Sequence, residues 1–178
     1  MDHTPGREER GVRITTTEGV VEGKLLMSAR LRTLDDLNMV SKRFLMLQSP
    51  TSCAPSWEVG RGQLAINKNS ILFVEELSTP PPEGGGRFGT FTRAAMRLKL
   101  KQYEVEGFVH MPPGGQPMKR LDQDNHAFVS LTTVLITGPE DHATTPFLAV
   151  NRNFITAAQV AESEAETEFS STEAEIER

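Results

Sequence analysis

The sequence is poor in cysteine, tryptophan and tyrosine, and it has no long apolar run. Cys53 is the single cysteine, which excludes an intramolecular disulfide framework and a cluster of cysteine metal ligands. No stretch of about 18 apolar residues is present to span a membrane as a helix. Residues 1–5 lack the basic and apolar regions of a signal peptide. We therefore expect a cytoplasmic protein, and we expect it to hold no cofactor.

The negative charge is concentrated at one end of the chain. The formal net charge is −5. Residues 12–77 carry eight Lys/Arg against seven Asp/Glu, and residues 93–160 carry seven against six. Residues 161–178 carry seven Glu and one Arg, which is typical of a disordered, solvated tail. The remainder is almost neutral and lacks the strong basic footprint of many nucleic-acid-binding proteins.

The sequence repeats itself at a fixed spacing of 84 residues. The stretch Ile66-Asn67-Lys68-Asn69-Ser70-Ile71 returns as Val150-Asn151-Arg152-Asn153-Phe154-Ile155, and Val21-Glu22-Gly23 returns as Val105-Glu106-Gly107. The same spacing relates, without any gap, Arg13 to Arg97, Met27 to Met111, Leu37 to Leu121, Phe44 to Phe128, Leu47 to Leu131 and Pro55 to Pro139. We interpret the chain as a duplicated domain.

The duplication predicts how the chain is divided. The expected parts are a flexible arm over 1–11, a first repeat over 12–77, a Pro/Gly-rich linker over 78–92, a second repeat over 93–160 and an acidic disordered tail over 161–178. Each repeat is near the lower size limit for independent folding, because small domains bury a smaller share of their surface. The two repeats are therefore expected to pack on each other or on other subunits.

Each repeat is predicted to be a five-stranded small β-barrel with one short helical segment. In the first repeat, alternating β-branched residues predict a hairpin over 12–27, and 43–47 reads as the third strand. Thr33 and two aspartates predict a helical segment over 33–40. Gly23 indicates a bulge or sharp bend in the second strand. The fold class is thus mainly β, with two tandem barrels.

Three segments of the first repeat carry a resemblance to a known family. They are Val21-Glu22-Gly23-Lys24-Leu25 as the second strand, Phe44-Leu45-Met46-Leu47 as the third, and Ile66-Asn67-Lys68-Asn69-Ser70-Ile71 as the final turn. In this order the repeat resembles the Sm-like family, which includes the bacterial RNA chaperone Hfq. It is also similar to bacterial domains that pair a Val-Glu-Gly strand with a closing Asn-Lys-Asn or Asn-Arg-Asn turn. The resemblance implies a small barrel and a ring or pseudo-ring assembly.

The two repeated turns, which we call the closing turns, are the first candidate site. They consist of Asn67, Lys68 and Asn69 in the first repeat and of Asn151, Arg152 and Asn153 in the second. One hypothesis is that they bind a phosphate or a base of RNA, because a basic residue is kept at the centre of each. The favoured interpretation is turn chemistry, because Asn bonds its own backbone and tolerates the conformations of tight turns.

Other candidate sites have weaker patterns. Trp57 lies in an apolar loop with Cys53, where it packs over the barrel or contacts a partner. Asp122, Asp124 and His126 alternate as metal ligands do, but solvated loop residues are the favoured interpretation. His110 has no apparent nucleophile or carboxylate partner, so no catalytic site is predicted.

The sequence therefore predicts a non-enzymatic binding or scaffold protein that acts through duplicated small barrels. Because small barrels leave strand edges that can pair with neighbours, we also expect self-association or a protein partner. No membrane partner and no small-molecule substrate are indicated. The alternative is an RNA-binding protein of Sm-like type, which would use Lys68, Arg152 and the face of the third strand.

Overall fold

The structure is a computed structural model that describes residues 7–28, 31–52, 62–77, 91–122, 126–139 and 142–161. It is mainly β. The ten strands are β1 (Arg7–Thr16), β2 (Val20–Ser28), β3 (Phe44–Ser52), β4 (Gln63–Asn67), β5 (Ile71–Glu76), β6 (Thr92–Leu100), β7 (Tyr103–Met111), β8 (Phe128–Thr137), β9 (His142–Asn151) and β10 (Ile155–Val160). The helices are α1 (Thr33–Asn38) and α2 (Pro117–Asp122), and 3₁₀ turns cover Lys68–Ser70 and Arg152–Phe154.

Residues 84 positions apart occupy corresponding places in the two halves. The two helices, the two 3₁₀ turns and the strands β5 and β10 correspond residue for residue at this spacing. In each half the order is a hairpin, a short helix, a third strand, a fourth strand, a 3₁₀ turn and a fifth strand. This correspondence allows each contact in one half to be compared with its counterpart in the other.

All ten strands belong to one antiparallel sheet rather than to two separate ones. The strand order is β10-β6-β7-β8-β9-β5-β1-β2-β3-β4, so β5 of the first half lies beside β9 of the second. This internal junction pairs Phe73 with Val150, Val74 with Ala149 and Glu75 with Leu148. Among the described strands, β4 pairs only with β3 and β10 only with β6. The sheet therefore has two outer edges, which are the fourth strand of one half and the fifth strand of the other.

The second strand of each half bends at a glycine, as Gly23 predicted. The pairing register shifts between Glu22 and Lys24 in β2, and it shifts again between Glu106 and Phe108 in β7. A Cβ atom on Gly23 would lie 3.1 Å from the Gln48 carbonyl oxygen, closer than an ordinary van der Waals contact. The absence of a side chain therefore lets the third strand approach closely at the bend.

The partner strands carry the matching irregularity. Ser49 in β3 and Thr133 in β8 have positive φ angles of 44° and 50°. These two residues are 84 positions apart and lie where the register shifts. A left-handed residue opposite a bend-making glycine increases the local twist of the pair of strands. Each half therefore carries the same irregularity in strand pairing at the same place.

Each half surrounds its own apolar core, and the two cores exchange residues at the internal junction. The first core includes Phe128 and Ala149, which belong to the second half. The second core includes Leu72 and Phe73, which belong to the first half. The Phe73 ring also meets Tyr103 edge to face, with 5.2 Å between ring centroids. Each half thus contributes side chains to the apolar core of the other.

Several element boundaries differ from those the sequence predicts. Strand β1 begins at Arg7 rather than at Val12, because Arg7 pairs with Ser28 and the pairing with β2 continues through Gly11 and Lys24. Strand β3 runs on to Ser52, beyond residue 47, where the predicted third strand ends. The sequence predicts the fourth strand of the second half over 146–150, whereas β9 begins at His142, because its pairing with β8 extends that far. The predicted linker and acidic tail fall almost wholly outside the described residues.

Candidate functional site

The asparagines of the closing turns bond their own backbone. The Asn67 side-chain oxygen accepts the Asn69 backbone N–H at 3.0 Å, and that of Asn151 accepts the Asn153 N–H at 3.1 Å. This side-chain-to-backbone pattern starts a tight turn by satisfying a donor that the 3₁₀ geometry leaves unpaired. The side chains of Asn69 and Asn153 are exposed.

The basic residues of the closing turns hold the end of a neighbouring helix. Lys68 is buried, and its Nζ donates to the Asp36 carbonyl at 2.7 Å and to the Met39 carbonyl at 3.2 Å. Burial lowers the pKa of the Lys68 ammonium below its ordinary value, against the attraction of Asp36. A cation at the carbonyl end of a helix satisfies acceptors that the helix cannot pair itself.

Arg152 makes the corresponding contacts in the second half. Its guanidinium donates to the Leu121 carbonyl at 2.7 Å and also to the His126 carbonyl. Both basic groups are therefore directed at protein carbonyls. This geometry favours turn chemistry as the role of Lys68 and Arg152, and it leaves Asn69 and Asn153 among the exposed residues of their turns.

Asn151 has a second role that the sequence did not reveal. It is buried at the internal junction, where its amide nitrogen donates to the Ile71 carbonyl at 2.8 Å and to the Lys68 carbonyl at 3.3 Å. It thereby joins the closing turn of the second half to that of the first. Asn67, its counterpart, is exposed, and among the described residues its amide oxygen bonds only within its own turn.

A second polar contact crosses the same junction. The Asn38 side chain, at the end of α1, donates to the Phe128 carbonyl at 3.0 Å and accepts the Phe128 backbone N–H at 2.8 Å. The amide is matched to this position because it carries one donor group and one acceptor. The contact fixes α1 over the start of β8, so that the Phe128 side chain enters the first core.

Residues that are buried at the internal junction have exposed counterparts at the outer edges. Phe128 is 2% exposed, whereas Phe44 is 50% exposed. Ala149 and Asn151 are buried, whereas Ala65 and Asn67 are exposed. Strand β5 is buried over its first five residues, whereas no residue of β10 is buried. The two outer edges of the sheet thus carry the counterparts of the residues that meet at the internal junction. No described strand pairs with these edges on their outer side.

A cavity of about 340 Å³ lies beside α1 in the first half. It is lined by Leu26, Met27, Ser28, Leu31, Asp36, Lys42, Met46 and Gln48. Lys42 and Asp36 form an ion pair in its wall. The corresponding positions in the second half include His110, Arg120, His126 and Thr132, so this lining is not shared by the two halves.

The described residues provide no metal cluster. No group of three or more His, Cys, Asp or Glu side chains converges among them. His110 contacts the Thr132 hydroxyl at 2.8 Å, a hydroxyl partner that the sequence did not indicate. Asp122 and His126 are exposed, while Asp124, Trp57 and Cys53 lie outside the described residues.

Comparison with family models, with curated proteins and with solved structures gives no match to this chain. Within the described ranges, no helix has both the length and the apolar character needed to cross a membrane. The functional conclusion therefore rests on the geometry of the chain itself. That geometry points to the strand edges, because the internal junction shows directly how one half engages another.

Proposed function

We propose that this chain is a non-enzymatic binding or scaffold protein, which acts in the cytoplasm through two tandem five-stranded small barrels. Each barrel is one half of the sheet, curved at Gly23 or Gly107 around its own core. The single observation that carries the proposal is the internal junction between β5 and β9. It supports the proposal because a fifth strand of one half and a fourth strand of the other recognise each other by strand pairing.

Two further observations support a binding role. The outer edges β4 and β10 are the types of strand that meet at the internal junction, and an unpaired edge is a template for another strand. Phe44, Met46 and Leu26 are large apolar side chains that are 50%, 45% and 43% exposed. Exposed apolar groups beside an open edge favour a protein partner or a second copy of the chain.

The test is capture from the native cell. The full chain, tagged at its N-terminus, is used as bait, and the eluate is analysed by mass spectrometry and by RNA sequencing. We expect protein in specific excess over a bait carrying both Ala65→Lys in β4 and Ala157→Lys in β10, because the two lysines place a charge at each outer edge. Equal recovery of all proteins by both baits, with no copy of the chain itself retained, contradicts the proposal.

RNA binding of Sm-like type is the second candidate function. It is favoured by the exposed side chains of Asn69 and Asn153, one in each closing turn. Substituting Lys68 and Arg152 would test it poorly, because their loss also frees helix carbonyls. The double variant Asn69→Ala plus Asn153→Ala leaves those bonds intact.

The RNA experiment measures fluorescence anisotropy of labelled single-stranded RNA at two salt concentrations. Specific binding predicts an affinity that falls with salt and that the double variant weakens about tenfold. No change in anisotropy with the wild-type chain at low salt removes this candidate. Binding that the variant leaves unchanged moves the site away from the closing turns.

A further inference from the structure

We propose that β4 of one chain pairs antiparallel with β10 of a second copy of the same chain, in the register that β9 makes with β5. The inference rests on the proposed binding function and names its partner. It follows from comparing the internal junction with the two outer edges, residue by residue, at the spacing of 84. An interface between two different edges leaves one free edge of each kind, so the same pairing can be repeated.

The internal junction supplies the register. Phe73 pairs with Val150, Val74 with Ala149 and Glu75 with Leu148. Moving each residue by 84 positions converts these pairs into Ala157 with Ile66, Ala158 with Ala65 and Gln159 with Leu64. The fourth strand keeps small or aliphatic side chains at all three positions, as the internal junction does. The fifth strand exchanges Phe73, Val74 and Glu75 for Ala157, Ala158 and Gln159, none of which is charged.

Alternate side chains of this pairing would enter the cores of the two chains. At the internal junction Val74 and Ala149 both belong to the first core. Their counterparts Ala158 and Ala65 are small enough to sit at the corresponding place beside the second core. Ala65 is exposed and Ala158 is only partly buried in the single chain, and pairing would remove both from water.

The closing turns supply a polar contact of the same kind. The Asn151 amide donates to the carbonyls of Lys68 and Ile71 across the internal junction. In the proposed interface, Asn67 stands in the place of Asn151. Its amide nitrogen would reach the carbonyls at positions 152 and 155 of the second chain. The proposed interface therefore gives the exposed Asn67 side chain a role beyond its bond within the turn.

Phe44 and helix α2 complete the interface. Phe128 enters the first core beneath α1 and is buried there, whereas its counterpart Phe44 is exposed. Helix α2 of a second chain would cover Phe44 as α1 covers Phe128. In the single chain α2 buries no residue, and Met118 is 48% exposed. The helix thus has an uncovered apolar residue available for this contact.

Two differences make the proposed interface weaker than the internal junction. The edge-to-face pair of Phe73 and Tyr103 corresponds to Ala157 and Gly19, so the aromatic contact is absent. Asn38, which both donates to and accepts from Phe128, corresponds to Asp122. A carboxylate can accept the Phe44 N–H but has no proton to donate to its carbonyl. Association is therefore expected to depend on concentration.

The test is disulfide trapping with purified full-length chains in which Cys53 is replaced by Ser. One chain carries Ala65→Cys and the other carries Ala158→Cys, and the two are mixed and oxidised. Directly opposed residues on antiparallel strands have the separation that a disulfide requires. The control replaces Ala158→Cys by Thr144→Cys, which places a thiol at an exposed position of β9 away from both outer edges.

We expect a covalent dimer from the mixture of Ala65→Cys and Ala158→Cys at a yield at least tenfold above the control mixture. Dimers formed by Ala65→Cys alone, or by Ala158→Cys alone, at the yield of the mixture would mean that like edges pair, and the proposal would fall. Equal yields from the mixture and the control would also overturn it.

Two substitutions test the interface without a crosslink, by light scattering at tens of micromolar. Ala65→Lys is expected to reduce the mass to that of one chain, while Thr144→Lys retains the wild-type mass. Asp122→Asn restores the missing donor and should lower the concentration for half-association several-fold. A wild-type chain that stays monomeric throughout overturns this inference. The proposed binding function would survive that result if the native-cell capture still yields protein that the bait with Ala65→Lys and Ala157→Lys loses.

Discussion

Lys68 shows how a positive charge that recurs in both closing turns can serve the fold. Its ammonium is buried against two carbonyls at the end of α1, and burial lowers its pKa despite the nearby Asp36 carboxylate. The cation therefore replaces hydration with two hydrogen bonds to the backbone. Removing it would leave the Asp36 and Met39 carbonyls with one fewer partner in a buried place.

We predict that Lys68→Ala lowers the free energy of unfolding by about 1–3 kcal/mol, the usual effect of leaving buried polar groups unpaired. Urea denaturation followed by circular dichroism measures the change. The matched control is Lys24→Ala, which removes a surface ion pair with Glu9 and should change stability by less than about 1 kcal/mol. Equal changes in the free energy of unfolding for the two variants would show that the carbonyl contacts of Lys68 stabilise the fold no more than a surface ion pair does.

Glu75 is a buried carboxyl in β5 at the internal junction. Burial raises its pKa above the ordinary value of 4.5, and Glu22 adds to this, while Arg13 opposes it. The folded chain therefore keeps the proton to a higher pH than the unfolded chain does. Stability falls as the pH rises from the ordinary value through the raised one, because the ionised form is disfavoured in the folded state.

The corresponding residue in β10 is Gln159, which suggests the test. We predict that Glu75→Gln raises the melting temperature at pH 7 by a few degrees and that the gain disappears below about pH 4. Melting curves between about pH 3 and pH 8 provide the measurement. Glu18→Gln, at an exposed turn, serves as the control for the same change of side chain outside the internal junction. A gain that persists unchanged at low pH contradicts an electrostatic origin.

At the scale of the elements, the glycine bends are the feature most sensitive to a single methyl group. A Cβ on Gly107 would lie 3.0 Å from Val134 Cγ2 and 3.2 Å from the Thr132 carbonyl oxygen. At Gly23 the nearest atom would be the Gln48 carbonyl oxygen at 3.1 Å. Because backbone atoms must move to relieve these contacts, the strand pair would open where it curves.

We predict that Gly107→Ala destabilises the chain by about 1–3 kcal/mol, the range for overpacking a close-packed site. Gly23→Ala should act in the same direction. Chemical denaturation gives both values, and Gly62→Ala provides a control at a glycine where an added Cβ would meet no atom within 4 Å. Gly62 has a φ of 142°, so its own effect reports backbone strain rather than crowding. Unchanged stability of Gly107→Ala would contradict the close approach.

The elements were largely predictable from the sequence, because their signals are local. Alternating β-branched residues predicted β1 and β2, and the glycine predicted the bend. The ends of β3 and β9 were less predictable, since pairing with a neighbouring strand extended them past Pro50 and Pro146. The sequence offered no local signal for the roles of Asn38 and Asn151. Their hydrogen-bond partners lie in the other half, and the residues around an asparagine in the sequence do not indicate a partner so far away along the chain.

At the scale of the whole molecule, the exchange of core residues couples the two halves. Leu72 and Phe73 pack in the second core, and Phe128 and Ala149 pack in the first. The unfolding of one half would expose apolar surface in the other. The sequence predicted that the repeats pack on each other or on other subunits, but it did not indicate which strands would meet.

We predict that the two halves unfold in a single transition at concentrations where the chain is monomeric. Calorimetry should give equal calorimetric and van't Hoff enthalpies. Phe73→Ala removes both a core side chain and the contact with Tyr103, and it should lower stability by about 3–5 kcal/mol. Two well-separated transitions in the wild-type chain would show that the halves are independent.

The unlike outer edges give the chain a direction. In the proposed pairing, the β4 edge of each molecule joins only the β10 edge of another molecule, so the molecules associate head to tail. A variant disabled at one end alone still joins a growing assembly, but it stops growth there. Small amounts of Ala65→Lys would therefore shorten or open assemblies of wild-type chains. In such an assembly, internal β5–β9 junctions alternate with junctions between chains. The internal ones lie within a single polypeptide, so only the junctions between chains can be exchanged or regulated.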